Sequence, residues 1–258
     1  MPEGDVAWLT ARRLHQALSG RTLTRTDVRV PQFATVDLTG HAVTQALARG
    51  KHLLIRVEGG TTVHTHLRMD GSWRIGPVTG RVADSHHIRL ILANDTWQAT
   101  GYRLGIVEIL PTAAEGGVVG HLGPDLLGPD WDAAEAVRRL AASPATPIGE
   151  ALLDQRNLAG IGNFYKAEVL FLRGISPWRP ARDVPGTLAL VNLARRLLDA
   201  NKERFGQVTT GVWRRGEETW VYGRAGRPCR RCGTPVRKAG QGQDAEERVT
   251  FWCPRCQP

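Results

Sequence analysis

Four cysteines stand at 229, 232, 253 and 256, all within the last thirty residues of a 258-residue chain. They form two C-x2-C pairs separated by twenty residues. Each pair can present two thiolates to one tetrahedral zinc, and two pairs complete a closed site. Unliganded thiols or a redox pair are the alternatives. No cysteine elsewhere could build a disulfide framework, so the spacing favours a single zinc held by Cys229, Cys232, Cys253 and Cys256. With every position taken by sulfur, no place remains for a catalytic water, and the metal is expected to be structural.

Other residues could carry chemistry in company. The chain opens "MPEGD", so Pro2 and Glu3 precede an amphipathic stretch. Proline suits a first helical turn, where no intrahelical N–H bond is lost. An amino terminus that itself reacts is the other reading. Gly50-Lys51 enters an apolar run, and a lysine at such a turn is ordinarily solvated. "HTHLRMDGSW" (64–73) sets Arg68, Met69 and Asp70 at a turn between strands. There Met69 is either a buried loop anchor or an exposed wedge able to enter a base stack. His64 and His66 alternate as metal ligands can, but no third ligand is evident, and they read as structural. "LLDQRNLAGIGNFYKAEVL" (152–170) reads as helix, glycine turn, helix; a helix starting near Asn163 offers backbone N–H groups to an anion, or is an ordinary hairpin. Arg248, in "ERVTFWC", falls near the tip of an expected hairpin, either solvated or presented to phosphate.

These residues need elements to hold them. Residues 5–18 place Val6, Leu9, Leu14, Ala17 and Leu18 on one helical face before Gly20. From 21 to 112 the pattern changes to strands: "TLTRTDVRV", "HLLIRVEG", "TTVHTHLRM", "HIRLIL" and "GIVEIL", punctuated by Gly59-Gly60 and Asn94-Asp95. Short strands at this spacing suggest an antiparallel sandwich or barrel. A Gly-, Pro- and Asp-rich linker covers 113–131. Four helices are expected in "DAAEAVRRLAAS", "PIGEALLDQRNL", "NFYKAEVLFLRG" and "TLALVNLARRLLDANKERF". Expected boundaries are therefore 1–112, 113–131, 132–225 and 226–258, an α+β multidomain chain.

Lysine and arginine total 34 against 25 acids, a net charge of +9. Only four of the 34 are lysines. The excess fits a polyanionic partner, or an arginine-rich solvated surface. No stretch approaches the ~20 apolar residues of a membrane span, and no secretory signal pattern opens the chain. A soluble, cytoplasmic monomer with no membrane partner is expected.

In order, Pro2-Glu3, "RGKHLL" around Lys51, "LLDQRNLAGIGNFYKAE" and "RVTFWCPRCQ" resemble the formamidopyrimidine-DNA glycosylase and endonuclease VIII family of base-excision repair enzymes, over nearly the whole chain. Gly4 is typical of the endonuclease VIII branch. The resemblance implies an N-terminal antiparallel β-sandwich with flanking helices, a helix–two-turn–helix domain and a C-terminal zinc-finger β-hairpin, with damaged DNA in the cleft between the halves. It also implies roles. Pro2, freed of Met1, is the nucleophile that forms a Schiff base, and Glu3 is the general acid/base beside it. Lys51 assists cleavage and contacts phosphate. Arg248 binds phosphate and supports δ-elimination, and Asn163 holds the DNA backbone. Arg68 and His121 fall at DNA-contacting positions of the endonuclease VIII branch, with different residue types, and Met69 falls at the loop that fills the gap left by the extruded nucleotide. There are departures. Val6 stands where family members often carry glutamate, and "TGYRLG" (100–105) lacks the arginine and phenylalanine that probe the opposite strand in the formamidopyrimidine branch.

The expected activity is a bifunctional DNA glycosylase and abasic-site lyase that prefers oxidised pyrimidines. The rivals are the same chemistry on oxidised purines, a non-catalytic DNA-binding protein, and a zinc-ribbon protein that binds RNA.

Overall fold

The computed structural model describes residues 2–78, 85–242 and 248–258, with Arg248 described through its backbone alone. The chain divides into two compact units, Met1–His121 and Leu122–Pro258.

The first unit opens with α1 (Gly4–Leu18), followed by β1 (Arg21–Thr22), β2 (Arg25–Val28), β3 (Ala42–Arg49), β4 (His52–Val57), β5 (Thr61–His66), β6 (Ser72–Pro77), β7 (Ile88–Ala93), β8 (Trp97–Tyr102) and β9 (Ile106–Pro111). Two antiparallel sheets result, in the orders β1-β3-β4-β5-β9 and β2-β7-β8-β6. Side chains alternate across a strand, so Leu53, Ile55, Val63 and Val107 of the first sheet face one core with Leu90, Leu92 and Ala99 of the second. Ala7, Ala11, Leu14 and Leu18, at helical spacing, add α1 to that core. Three strands lay outside the expected set: β3, β6 and β8. Their segments, such as "AVTQALAR" and "WQATGY", are poor in β-branched residues, and strand pairing, on both sides for β3 and β8 and on one side for the edge strand β6, overrides the weak propensity.

The residues expected to form a linker carry structure. After β9 comes a 3-10 turn, Thr112–Ala114, and then α2 (Glu115–Val119). Glu115 accepts a bidentate pair from Arg56 at 2.9 and 2.6 Å and a bond from the Thr62 hydroxyl at 2.7 Å. The Arg56 bond is the main reason its carboxyl is held below the usual range. This anchor ties α2 to the first sheet, which polar composition alone does not reveal.

In the second unit, α3 (Ala133–Ala141), α4 (Ile148–Ala151), α5 (Asn163–Arg173) and α6 (Thr187–Asn201) precede a hairpin of β10 (Arg237–Gln241) and β11 (Arg248–Trp252). Asp132 caps α3 by accepting the N–H groups of Ala134 and Glu135. Gly174 ends α5 in the left-handed region, at φ 67°. The helix expected over 147–158 is a single turn. Beyond it Asp154 accepts the Arg156 N–H, Asn157 donates to the Ala151 carbonyl, and Gln155 donates to the Leu153 and Ile161 carbonyls. These side chains offer the backbone an alternative to the helical ladder. Leu140, Ile148, Leu158, Ile161, Tyr165, Leu190 and Leu198 form the helical core.

The turn carrying Met69 is closed by the Gly71 N–H on the Leu67 carbonyl at 2.8 Å. A Cβ on Gly71 would lie 2.4 Å from that oxygen. Gly71→Ala is therefore expected to destabilise the first unit by about 1–3 kcal/mol, as other steric insertions do, and urea unfolding of the pair of proteins measures it.

Candidate active site and zinc module

Glu3 is the N-cap of α1, and its carboxylate is buried, 1% exposed. Pro2 before it is half-buried. The helix is pinned to β3 in a way that sets where this end falls. Ser19 donates to the Thr44 carbonyl, and His15 Nδ1 accepts the Ala46 N–H. Going backward along α1 therefore means going forward along β3. From His15 to Glu3 the helix rises about 18 Å, and from Ala46 to Lys51 the strand advances about 17 Å. Pro2 and Glu3 consequently lie at the end of the sheet that carries Lys51.

Lys51 occupies a two-residue hairpin, closed by the pairing of Arg49 with His52. Gly50 has φ 57° and Lys51 has none of the positive φ found at Arg68 and Arg103, the pattern of a type II′ turn with glycine first. The next turn along the same strands holds Arg68 and Met69. Arg68 is left-handed (φ 53°), and its N–H donates to His66 Nδ1 at 2.9 Å. Met69 is 64% exposed, which decides between loop anchor and exposed side chain in favour of the latter. Gly105 lies so close to the Arg68 side chain that a Cβ would meet its Cγ at 2.2 Å. That contact brings the 103–105 turn against the Arg68 turn. Both turns contain a non-glycine residue at positive φ, a placement the surrounding pairing must hold.

His121 is exposed, with its ring 6.4 Å from that of His52. His52 also stacks on His64 and meets His66 edge-on, making a row of imidazoles that spacing had not disclosed. His52 is pushed down to about 3 and His66 to about 4, by burial first and then by neighbouring positive groups, which include Arg68 for both and Lys51 for His66. His64, read as structural, is buried and hydrogen-bonded to Glu108.

In the second unit, Asn163 is the first residue of α5, after the N-cap Gly162. Its side chain does not simply face solvent: Nδ2 donates to the Val249 carbonyl at 2.8 Å, and Oδ1 is buried with no hydrogen-bond partner among the described residues. One turn on, the fully buried Lys166 donates to Thr250 Oγ1 at 2.6 Å, and Gln241 accepts from the same ammonium. These bonds dock the β10–β11 hairpin on α5. Arg248 is the first residue of β11, paired with Gln241. Its side chain, and with it the expected phosphate contact, lies outside the described residues. Glu168, also fully buried, accepts the N–H groups of Trp220, Val221 and Tyr222 and the Thr209 hydroxyl. Burial raises its pKa, against the lowering effect of those bonds. Lys166 and Glu168 were not singled out as site-building residues from the sequence. Their only signal was charge on the apolar side of a helix.

The four cysteine sulfurs lie within 4.8 Å of one another, with 4.0 Å between Cys229 and Cys256 and 3.5 Å between Cys232 and Cys253. A tetrahedron with Zn–S bonds of ~2.3 Å has edges of about 3.8 Å. The donor set therefore fits zinc. Phe171 of α5, Val221 and Val236 pack beside the cysteines.

Known protein families match in three consecutive pieces: the formamidopyrimidine-DNA glycosylase N-terminal domain over 1–104, the formamidopyrimidine-DNA glycosylase H2TH domain over 122–199, and the zinc finger found in FPG and IleRS over 226–258. "Probable endonuclease 8 2" of Streptomyces coelicolor is 58% identical, covering 100% of this chain and 94% of that protein. The chain belongs to the formamidopyrimidine-DNA glycosylase and endonuclease VIII family. Within the family it stands with the endonuclease VIII branch. The "DNA-(apurinic or apyrimidinic site) lyase Nei2" of Mycolicibacterium smegmatis is 49% identical, with coverage of 100% and 99%. Among solved structures, MutM in complex with DNA containing carbocyclic 8-oxo-G aligns over the whole of both chains, with a TM-score of 0.83 and 25% identity. The family finger and the clustered thiolates establish one structural zinc.

Two outcomes follow from this geometry. Purified protein should contain one zinc per chain by atomic absorption. Cys229→Ser should lose it and alter the fluorescence of Trp220, which stacks on Phe171. Separately, the unfolded chain protonates His52 and His66 as pH falls through about 6.5, whereas the folded chain resists until about 3 and about 4 respectively. Their contribution to stability is whole above pH 6.5 and declines below it. The thermal midpoint should therefore drop between pH 7 and 5, and less steeply in His52→Asn.

Proposed function

We propose that this protein removes oxidised bases, preferably pyrimidines, from DNA and then cleaves the abasic site by β,δ-elimination. The observation that supports the reading is the placement of Pro2, Glu3 and Lys51 toward one end of the first sheet, in a chain 58% identical to a relative named a probable endonuclease 8 and 49% identical to one named an abasic-site lyase. No binding-only function needs an N-terminal proline there.

Pro2 must be the amino terminus, because a nitrogen acylated by Met1 is an amide with no basic lone pair. A free α-amine titrates near ~7.7–8.0, so a useful fraction is unprotonated at neutral pH. The secondary amine attacks C1′ of the damaged nucleotide. As the N–C1′ bond forms, the glycosidic bond breaks, and the base leaves with its electron pair and a proton. Opening of the sugar ring yields an iminium at C1′. Its positive charge acidifies C2′–H, and loss of that proton expels the 3′ phosphate. A second elimination expels the 5′ phosphate, and water then releases the sugar remnant. Glu3 moves the protons of these steps. Its burial excludes competing solvent from the carboxylate.

Lys51, Arg68 and His121 on the first unit, and Asn163 and Arg248 on the second, hold phosphates. Met69 fills the space vacated when the base is extruded, a role supported by its exposure at the tip of a turn closed by Gly71. Net charge +9 supports binding to a polyanion, with affinity that falls as salt rises. Among the described residues no helix is long and apolar enough to cross a membrane. That, with bacterial relatives, supports action in the cytoplasm, and the chemistry asks for no second copy of the chain.

Borohydride reduces an imine to a stable amine, so incubation with duplex DNA containing an abasic site or thymine glycol should trap a covalent complex. Protein that retains Met1 or is acetylated on Pro2 should trap none, and Glu3→Gln should slow base release by about 10²–10⁴-fold. Absence of trapping on every oxidised base and on abasic DNA would defeat the lyase reading. Faster excision of oxidised purines than pyrimidines in a matched panel would reverse the substrate preference.

A further inference from the structure

The outer face of the first sheet carries polar groups to which the chemistry above assigns no task. His52, His64, His66 and Glu108 share that face because the register pairs His52 with His66 and His64 with Glu108. A carboxylate oxygen only accepts, so the 2.9 Å contact from Glu108 Oε2 to His64 Nδ1 places a proton on that nitrogen. In a neutral ring Nε2 then accepts, and its 2.8 Å contact with His52 Nδ1 places a proton there as well. The chain reads carboxylate, imidazole, imidazole, and ends in a lone pair on His52 Nε2. His66 has the opposite tautomer: its Nδ1 accepts the Arg68 N–H, so its proton lies on Nε2.

The far end of this chain is well placed. His52 directly follows Lys51 in sequence and stacks on His64 with 5.0 Å between centroids. It meets His66, the residue that pins the Arg68 turn, at 4.9 Å. The charged groups around it are Lys51 and Arg68 on the turns, Arg49 opposite it on β3, and the further imidazole of His121. Glu108, 45% exposed, is the carboxylate bonded into the row and faces water.

We propose that Glu108, His64 and His52 are positioning residues that brace the Lys51 turn against β9, and that this chain takes up one proton when a DNA phosphate docks on Lys51 and Arg68. The second half rests on the DNA-binding reading above. The proton balance is simple. A solvent proton adds to His52 Nε2, the His52 Nδ1 proton shifts to His64 Nε2, and the His64 Nδ1 proton shifts toward Glu108. One proton is gained and no bond between heavy atoms changes. Before docking, burial and the neighbouring cations oppose a charge on the row. A phosphate neutralises those cations and favours the charged form, which Glu108 balances from the other end. Proton uptake on binding requires binding to tighten as pH falls, by up to ~tenfold per pH unit for one proton.

Two measurements on the whole protein test this. Long-range ¹H–¹⁵N spectra should show His52 and His64 protonated on Nδ1 and His66 on Nε2. Any other pattern overturns the chain. Calorimetric titration with abasic-site duplex, in buffers of different ionisation enthalpy from pH 7 to 5, should show net proton uptake that grows as pH falls. Glu108→Gln keeps an acceptor for the His64 Nδ1–H but cannot balance a cation. Its uptake and its pH dependence of affinity should largely vanish, and a merely structural Glu108 would leave both unchanged. Equal uptake in the two proteins overturns the proposal while leaving DNA binding intact. Failure of wild type to bind the duplex at any pH overturns the DNA reading, and docking-linked uptake with it, while the tautomer pattern still decides the chain.

Discussion

The antiparallel pairing of β4 with β3 on one side and β5 on the other is the constraint on which the candidate site depends. Pairing Arg49 with His52 leaves two residues for the turn, and so sets Lys51 at the rim. Pairing His52 with His66 then fixes which face each histidine takes and where the Arg68–Met69 turn begins. A one-residue slip would send Leu53 and Ile55 to the outer face and the imidazoles into the core. The apolar inner face thus secures the polar outer one. Strand β3 also guides α1, because the helix's cross-contacts to Thr44 and Ala46 bring Glu3 toward the end of the sheet that carries Lys51.

The second unit solves a comparable problem with buried charge instead of register. A zinc module of this size has little core of its own, and α5 supplies the rest. Lys166 and Glu168 reach from one helix to two segments, the first to Thr250 and Gln241 of the finger hairpin, the second to three consecutive backbone N–H groups at 220–222, just before the finger. Both are fully buried, so each depends on its partners. Asn163, on the same helix, adds a bond to the strand residue that follows Arg248. The helix that offers its N-terminus also sets the backbone position of the arginine strand.

Much of this was legible beforehand. The cysteine spacing disclosed the zinc site, since a tetrahedral thiolate set tolerates few arrangements. The helical stripe of α1 was readable, and so were the strands rich in valine, leucine and isoleucine. Strands β3, β6 and β8 were not, because their residues take the extended form only where neighbours supply the hydrogen bonds. The helix ending at Ala151 was overdrawn for a related reason: Asp154, Gln155 and Asn157 divert the backbone locally. Glu115 looked like linker and is an anchor, a fact that depends on Arg56 and Thr62, more than fifty residues earlier.

By itself, the sequence determined the family, the metal donor set, the basic character and the residues able to carry the chemistry, because these follow from residue type and short spacing. Tertiary structure alone decided that Glu3 and Lys51 share one end of a sheet, that Met69 is exposed, and that Asn163 is held against the finger. It also decided that three histidines and Glu108 form one row. Those outcomes depend on strand register and helix docking across tens of residues, where no local pattern specifies the partner.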